Sequence, residues 1–207
     1  IGTDIRPLTR KLRVGVATES ARGLGIDAPT QMAIDKTIEL LVSLGHHVET
    51  MEISDRDTIA ADMTHYWKMN AFLLKKVGAK PIDPSFDPSR MTPLTDGLAA
   101  EYKQSFLRTP GVLYRLHKLY HDYAKLFSGI DVLVTPCVNS VPPEIGHLSE
   151  TLDCETLFGR VRHWAAFSGY ANATGGPSIS LPLGHDSPTN LPIGILFNAN
   201  HGCDRLL

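Results

Sequence analysis

The chain has 207 residues, of which 43% are hydrophobic and 20% are charged, and this balance is typical of a folded globular protein rather than a disordered one. The formal net charge of −2 indicates no strongly basic surface, so nucleic acid is not an expected partner. No stretch approaches the roughly 18 apolar residues that span a bilayer, so no membrane association is predicted.

The first elements form a strand–helix–strand unit. The β-branched run from Leu12 to Thr18 predicts a strand, and Pro29 suits the first turn of a helix that extends to Leu44. Gly45 stands where a helix ends, and the alternating segment from His47 to Ile53 predicts a second strand. Units of this order build parallel sheets.

A helical excursion is predicted from about residue 55 to residue 128. Its first helix is capped by Ser54 or Asp55. A proline-rich loop, residues 79–93, follows it. The three predicted helices cover Thr58 to Val77, Thr95 to Phe106, and Pro110 to Phe127.

The last part of the chain predicts further strands. The apolar run Asp131 to Thr135 suits a strand that is buried on both faces, and Cys154 to Ala173 predicts one helix. Strands at Ser178 to Pro182 and Leu191 to Phe197 flank a polar turn. The complete order predicts an α/β fold, with a mixed β-sheet covered by helices.

Two groups of side chains suggest chemistry before any family is considered. His117 and His121 are four residues apart on a predicted helix, but a zinc site needs a third ligand, so no metal is expected. The segment Gly23 to Gly25 lacks the full G-x-G-x-x-G dinucleotide motif, and no organic cofactor is expected either. Cys137 follows the apolar strand, where ligands of open α/β sheets bind. It either lines a pocket or, with His147 or His163 as its base, acts as a nucleophile.

The remaining cysteine pattern and the first residues suggest a compartment. Cys137, Cys154 and Cys203 are odd in number and far apart, which fits reduced thiols better than disulfides. The chain begins without the basic and apolar segments of a signal peptide. A cytoplasmic location is therefore expected. The first residue is not methionine, and the last residues resemble the start of a helix that does not continue. Both ends are therefore interpreted as cut ends of a longer chain.

An ordered set of motifs resembles the amidase-signature family. The family pattern N-x-x-G-x-P-x-x-S-x-P-x-G is followed by a polar turn and L-P-I-G, and is preceded by D-V-L-V-T-P. The matching positions are Asn172, Gly175, Pro177, Ser180, Pro182 and Gly184, then Leu191 to Gly194, and upstream Asp131 to Pro136, Leu12 to Val16, and Leu44 to His46. Each motif is weak alone, but their order is specific.

This resemblance implies amide hydrolysis by a Ser–Ser–Lys triad, in which a buried neutral lysine is the base. No glycine- and serine-rich signature segment occurs in the 207 residues, and Lys75 and Lys76 lack the family's surroundings for the catalytic lysine. No catalytic residue is therefore assigned. Residues 1–207 are interpreted as the C-terminal part of one amidase domain, truncated at both ends, with the catalytic residues upstream and the isolated chain inactive.

The resemblance leaves the substrate side of the cleft to this chain. The loop after the buried strand and the helix before the glycine motif wall the family's acyl pocket. The expected substrate-binding residues are Cys137, Trp164, Ala165, Phe167 and Thr174. Ala165 stands where glutamyl-tRNA amidotransferase subunits have an acidic residue, so a glutamine substrate is not expected. An apolar acyl group suits Ala165 and Phe167 better.

Two alternatives stay open. A non-catalytic binding module of the same fold would lack the triad in the complete protein as well, whereas a thiol hydrolase would use Cys137. The expected partner is a small linear or cyclic amide. Part of a large sheet also exposes strand edges, which favours a homodimer.

Overall fold

The computed structural model describes residues 10–20, 23–53, 56–78 and 83–207. The predicted caps Ser54 and Asp55 lie outside these ranges. The chain divides into two compact units. The sheet unit comprises residues 1–57, 118–142 and 164–207, and the helical unit comprises residues 58–117 and 143–163.

The sheet unit holds a sheet of five strands in the order β2-β1-β3-β5-β4. Strand β1 pairs in parallel with β2 and β3, whereas β3–β5 and β5–β4 are antiparallel pairs. The mixed sheet with helices confirms the predicted α/β class. Its strands are β1 Arg13–Val16, β2 His47–Thr50, β3 Val132–Pro136, β4 Ser178–His185 and β5 Pro192–Ala199.

Six α-helices accompany these strands in the described ranges. They are α1 Ala28–Ser43, α2 Arg56–Val77, α3 Pro93–Ser105, α4 Thr109–Leu126, α5 Cys154–Trp164 and α6 Gly169–Thr174, with short 3-10 turns at Pro88–Arg90, Phe106–Arg108 and Asp204–Leu206. None of the helices in the described part of the chain combines the length and apolar character that a bilayer crossing requires.

Helix α1 begins and ends where its local chemistry dictates. The side chain of Asp27 accepts a hydrogen bond from the Thr30 N–H at 2.9 Å, and Pro29 lies in the first turn. After the helix, Gly45 takes a φ of 84°, a left-handed value that favours glycine. These signals confirm the predicted helix and its glycine stop.

The two faces of the sheet pack against different side chains. On one face, residues that include Val14, Val134 and Ile195 form an apolar core with Ala33 and Ile34 of α1. On the other face, the cluster comprises Ala17, Tyr123, Phe127, Ile130 and Leu133. Every residue of β3 is buried, which confirms the prediction that this apolar run is a central strand.

The helical unit has its own apolar cluster and a paired internal charge. Ala71, Leu98, Ala99 and Phe158 are buried together. Arg115 donates two hydrogen bonds to the carboxylate of Asp62, at 2.7 and 2.6 Å, and the Asp62 side chain is only 5% exposed. The bidentate geometry satisfies a charge that would otherwise be costly to bury.

Three predicted elements differ from the structure by three residues or more. The strand from His47 ends at Thr50 instead of Ile53, and β4 continues past Pro182 to His185 through an irregularity between Pro182 and Gly184. The predicted helix from Cys154 to Ala173 is two helices, separated by a turn at residues 165–168. At this break the Trp164 carbonyl accepts from the Asn139 N–H, a tertiary contact that helical periodicity does not reveal.

Candidate functional site

Small and polar residues occupy one face of the sheet where β3, β5 and β4 lie side by side. The strand register places Thr135 beside Leu196, and Leu196 beside Ser180. Their side chains share a face because residues that pair directly across neighbouring strands lie on the same face of a sheet. This face also carries Gly194, two residues from Leu196. We call Thr135, Ser180, Gly194 and the adjoining Cys137 the polar strip.

Cys137, Ser180 and Gly194 meet within this strip. The Cys137 N–H donates to the Gly194 carbonyl at 3.1 Å. A Cβ atom placed on Gly194 would lie 2.8 Å from the Ser180 Oγ and 3.4 Å from the Cys137 Cβ. Glycine at position 194 therefore lets the cysteine and the serine approach each other across β5.

The segment between α5 and β4 carries the other predicted site residues. Trp164, the last residue of α5, and Ala165, in the turn that follows, are half-buried, whereas Phe167 and Thr174 are buried. The Thr174 hydroxyl donates to the Tyr170 carbonyl at 3.0 Å, as is common for threonine within a helix.

One backbone contact joins this segment to the loop that holds Cys137. The Asn139 N–H donates to the Trp164 carbonyl at 3.1 Å, and the Asn139 carbonyl accepts from the Asp27 N–H at 2.9 Å. The structure thus brings the start of the Trp164–Thr174 segment next to the loop after β3. It stays a prediction that all five predicted residues, including Ala165 and Phe167, line one cavity.

Buried polar atoms without a hydrogen-bond partner occur along the same region. Among the described residues they include the Thr135 Oγ1, the Asn139 Oδ1 and the Trp164 Nε1. A buried polar group without a partner costs about 1–3 kcal/mol, so native proteins retain few of them. One acceptor, one donor and one hydroxyl are therefore available here to a polar molecule that carries both kinds of group, as an amide does.

The glycine turn after α6 is tightly packed. Gly175 has a φ of 70°, which confirms that this turn needs a left-handed residue. A Cβ on Gly176 would lie 2.3 Å from the Tyr123 hydroxyl oxygen. Tyr123 is fully buried, and its hydroxyl donates to the Ala199 carbonyl at 3.0 Å. Burial, with a contribution from the neighbouring Tyr170, raises the pKa of the Tyr123 phenol.

The cysteines and histidines singled out from the sequence are placed differently. Cys137, Cys154 and Cys203 are free thiols. His147 and His163, the bases considered for Cys137, belong to the helical unit, so a thiol mechanism stays a prediction. In the described ranges no group of three or more His, Cys, Asp or Glu side chains could hold a metal ion, which leaves His117 and His121 outside any such group.

A comparison with family models identifies the class of protein. The model described as Amidase matches residues 4–207, which is almost the whole chain. The chain therefore belongs to the amidase family.

Relatives in sequence carry names of the same kind. The chain is 32% identical over 208 aligned positions to AmiC of Mycobacterium tuberculosis, a protein named for an inferred amidase activity. A relative from Synechocystis, named in the same way, is 25% identical over 179 positions. The alignments cover 100% and 86% of this chain, but only 43% and 32% of the two relatives. The chain thus spans less than half the length of these proteins.

Solved structures share the fold. A 6-aminohexanoate cyclic dimer hydrolase superimposes with a TM-score of 0.78 at 22% identity, over 98% of this chain and 44% of that one. A bacterial aryl acylamidase of the amidase-signature family gives a TM-score of 0.65 at 17% identity, over 95% and 41%. At these identities the superpositions establish the amidase-signature fold. They confirm the fold that the sequence motifs predicted.

Sequence reasoning missed several residues that the structure places in or beside the strip. Ser180 and Gly194 were recognised only as motif positions, and Asn139 was not singled out at all. The signal for the first two was their place in the family motifs beside a candidate cysteine. No local signal marks Asn139, because its importance comes from burial and from contacts with Asp27 and Trp164, both distant in sequence.

Proposed function

We propose that this chain forms the acyl side of an amidase active site that hydrolyses the carbon–nitrogen bond of a small linear or cyclic amide. The observation that carries the proposal is the meeting of Cys137, Ser180 and Gly194 on one face of the sheet. Two of these residues belong to motifs of the family, and the third follows the buried strand. The unpartnered polar atoms of Asn139 and Trp164 add hydrogen-bonding capacity for an amide.

The reaction itself is assigned to polypeptide upstream of Ile1. We propose a Ser–Ser–Lys mechanism there, with an acyl-enzyme intermediate on the nucleophilic serine and the second serine relaying a proton to a neutral lysine. Residues 1–207 would then be the C-terminal part of the amidase domain. The proposal requires neither a metal nor an organic cofactor, and it places the protein in the cytoplasm.

The substrate-binding residues of the proposal are Cys137, Trp164, Ala165, Phe167 and Thr174. The small side chain of Ala165 and the aromatic ring of Phe167 favour an apolar or aromatic acyl group. The absence of a carboxylate at Ala165 argues against glutamine as the substrate. A preference of the active enzyme for glutamine or asparagine over apolar amides would contradict this assignment.

The test compares two lengths of the protein on the same amides. The 207-residue chain and a version extended upstream to the length of its relatives are assayed with linear, cyclic and aryl amides. We expect turnover from the longer protein alone. Turnover by the short chain that rises in proportion to its purity would contradict the upstream assignment.

Variants of Cys137 separate the proposal from its rivals. Replacing Cys137 with Trp fills the strip, so kcat/KM of the longer protein should fall about 10-fold or more for bulky amides. Cys137→Ser should leave most activity intact. Loss of an activity of the short chain on alkylation of Cys137 would favour a thiol hydrolase. Amide binding by a full-length protein that lacks the triad would favour a binding module.

A further inference from the structure

The turn that joins α6 to β4 is held by the end of β5. The Pro177 carbonyl accepts from the Ala199 N–H at 3.0 Å, and the Ser178 hydroxyl donates to the Asn198 Oδ1 at 2.8 Å. The ring of Tyr123 leaves no room for a side chain at Gly176. The backbone of residues 176–178 is therefore fixed to β5. Thr174, the last residue of α6, lies directly before this turn and is held by a separate contact.

The ring of His201 reaches this position. Its Nε2 lies 2.8 Å from the Thr174 carbonyl oxygen. A carbonyl oxygen only accepts hydrogen bonds, so this nitrogen must carry the hydrogen, whatever the charge of the ring. The contact thus defines one tautomer of the neutral histidine. The backbone N–H of His201 also donates to the Asn200 Oδ1 at 2.8 Å, which helps to fix the backbone that carries the ring.

Two tyrosine rings hold the imidazole in place. Tyr120 stacks on His201 with ring centroids 4.1 Å apart and an angle of 21° between the planes. Tyr123 lies on another side, with centroids 5.0 Å apart. The ring cannot turn away from Thr174 without losing these contacts, so the donor is preorganised.

The last carbonyls of a helix have no partner within it, and Thr174 is the last residue of α6. His201 supplies one of these missing donors from outside the helix. Thr174 is buried, and it is one of the proposed substrate-binding residues. A donor that fixes its carbonyl therefore also fixes the position of its side chain relative to the sheet.

We propose that His201 is a positioning residue: as the Nε2–H tautomer it holds the Thr174 carbonyl and thereby sets the substrate-binding end of α6. The effect on substrate rests on the proposed function. His201 takes no part in bond cleavage in this scheme, and it acts only through Thr174.

The first experiment tests the contact in the 207-residue chain, without any activity. Nitrogen-15 correlation spectra of the imidazole should show the hydrogen on Nε2. His201→Phe keeps an aromatic ring but removes the donor, and amide hydrogen exchange of residues 169–176 should then accelerate about three- to tenfold. His201→Gln retains an N–H donor and should accelerate exchange less. His185→Phe, at an exposed position of β4, is the matched control and should leave these amides unchanged.

The second experiment uses the longer protein that shows amidase activity. His201→Phe should raise KM about three- to tenfold with kcat within about twofold, because the end of α6 is proposed to bind substrate without touching the reacting atoms. His201→Gln should recover most of the loss. An equal fall in stability for both variants with an unchanged KM would overturn the positioning role.

The two experiments fail separately. A hydrogen found only on Nδ1, or unchanged exchange at residues 169–176 in His201→Phe, would overturn the contact even in an active enzyme. If no length of the protein hydrolyses amides, the proposed function fails. The spectra and the exchange rates still decide whether His201 holds Thr174.

Discussion

Single residues in the sheet unit are constrained by the space around them more than by their own propensity. Gly176 faces the ring of Tyr123, and Gly194 lies between Ser180 and Cys137. The sequence predicted a glycine turn but not the tyrosine that makes glycine necessary at position 176. That tyrosine lies far away in the chain, and only the fold brings it to the turn.

Gly176→Ala should lower the free energy of unfolding by about 1–3 kcal/mol, because the added Cβ would overlap the buried Tyr123 ring. Urea titration with linear extrapolation measures the difference. Gly159→Ala is the control: nothing lies within 4 Å of the point that its Cβ would occupy, and alanine favours a helix, so stability should stay equal or rise by up to about 1 kcal/mol. Equal losses at the two positions would refute the steric argument.

Buried tyrosines should make the protein sensitive to alkali. Burial, and secondarily the charge of Asp122, raises the pKa of Tyr170 to about 12, and burial raises that of Tyr123 as well. In the unfolded chain a phenol ionises near pH 10. The folded state therefore keeps its full contribution below about pH 10, and this contribution is lost as the pH rises towards about 12.

Urea titrations at several pH values between about 8 and 11.5 measure this loss. Tyr170→Phe should flatten the decline above pH 10, since phenylalanine cannot ionise. Tyr114, which is 69% exposed, provides the control, and Tyr114→Phe should leave the decline unchanged. A decline of the same slope in all three proteins would contradict the assignment.

At the scale of elements, helix and strand types followed from periodicity, whereas ends and breaks did not. The continuous apolar run of β3 and the capped, glycine-terminated α1 were recognisable because their signals are local. The break after Trp164 was not, because a hydrogen bond from Asn139 replaces a helical one. The polar strip was only partly predictable. Its motif residues were recognised in the sequence, but the strand register that joins Thr135 to Ser180 through Leu196 could not be read from it.

The ion pair between α2 and α4 gives a test at this scale. Arg115→Leu should lower the free energy of unfolding of the helical unit more than removal of an exposed pair does, because the carboxylate of Asp62, with its side chain 5% exposed, loses both of its hydrogen bonds from Arg115. Replacing both Asp62 and Arg115 with Leu should restore much of the loss.

The control for this pair is an exposed one. Lys118 contacts Asp122 at 2.8 Å with its side chain 59% exposed, and Lys118→Leu should lower stability less than Arg115→Leu does. Thermal unfolding followed by circular dichroism ranks the four proteins. A double variant less stable than Arg115→Leu would contradict the buried-charge explanation.

At the scale of the whole molecule, the amidase fold was predictable because an ordered set of weak motifs covers nearly the entire chain. The bounds of the two units were not predicted, because three of their four boundaries fall inside helices and only the one between residues 142 and 143 lies in a loop. Strand β4 is the last in the strand order and pairs only with β5 in the described part of the chain. Such an edge is a template for pairing with another chain.

The homodimer expected from the sequence is tested at this edge. Sedimentation velocity of the 207-residue chain should show a dimer that dissociates on dilution, and Ile179→Lys on β4 should shift it towards the monomer. Ile145→Lys removes an equally apolar but fully exposed side chain from the helical unit and should change nothing. A chain that stays monomeric at all concentrations would contradict edge pairing.

The parallel pairing of β1 with β3 has a consequence for how the protein is made. The Arg13 N–H meets its carboxylate partner Asp131 only 118 positions later in the chain. During synthesis β1 therefore stays unpaired on this side until residues 58–117 of the helical unit and β3 itself have been translated. Closing so long a connection is entropically costly and slows folding, so chaperones that shield nascent strands should affect the yield of this protein.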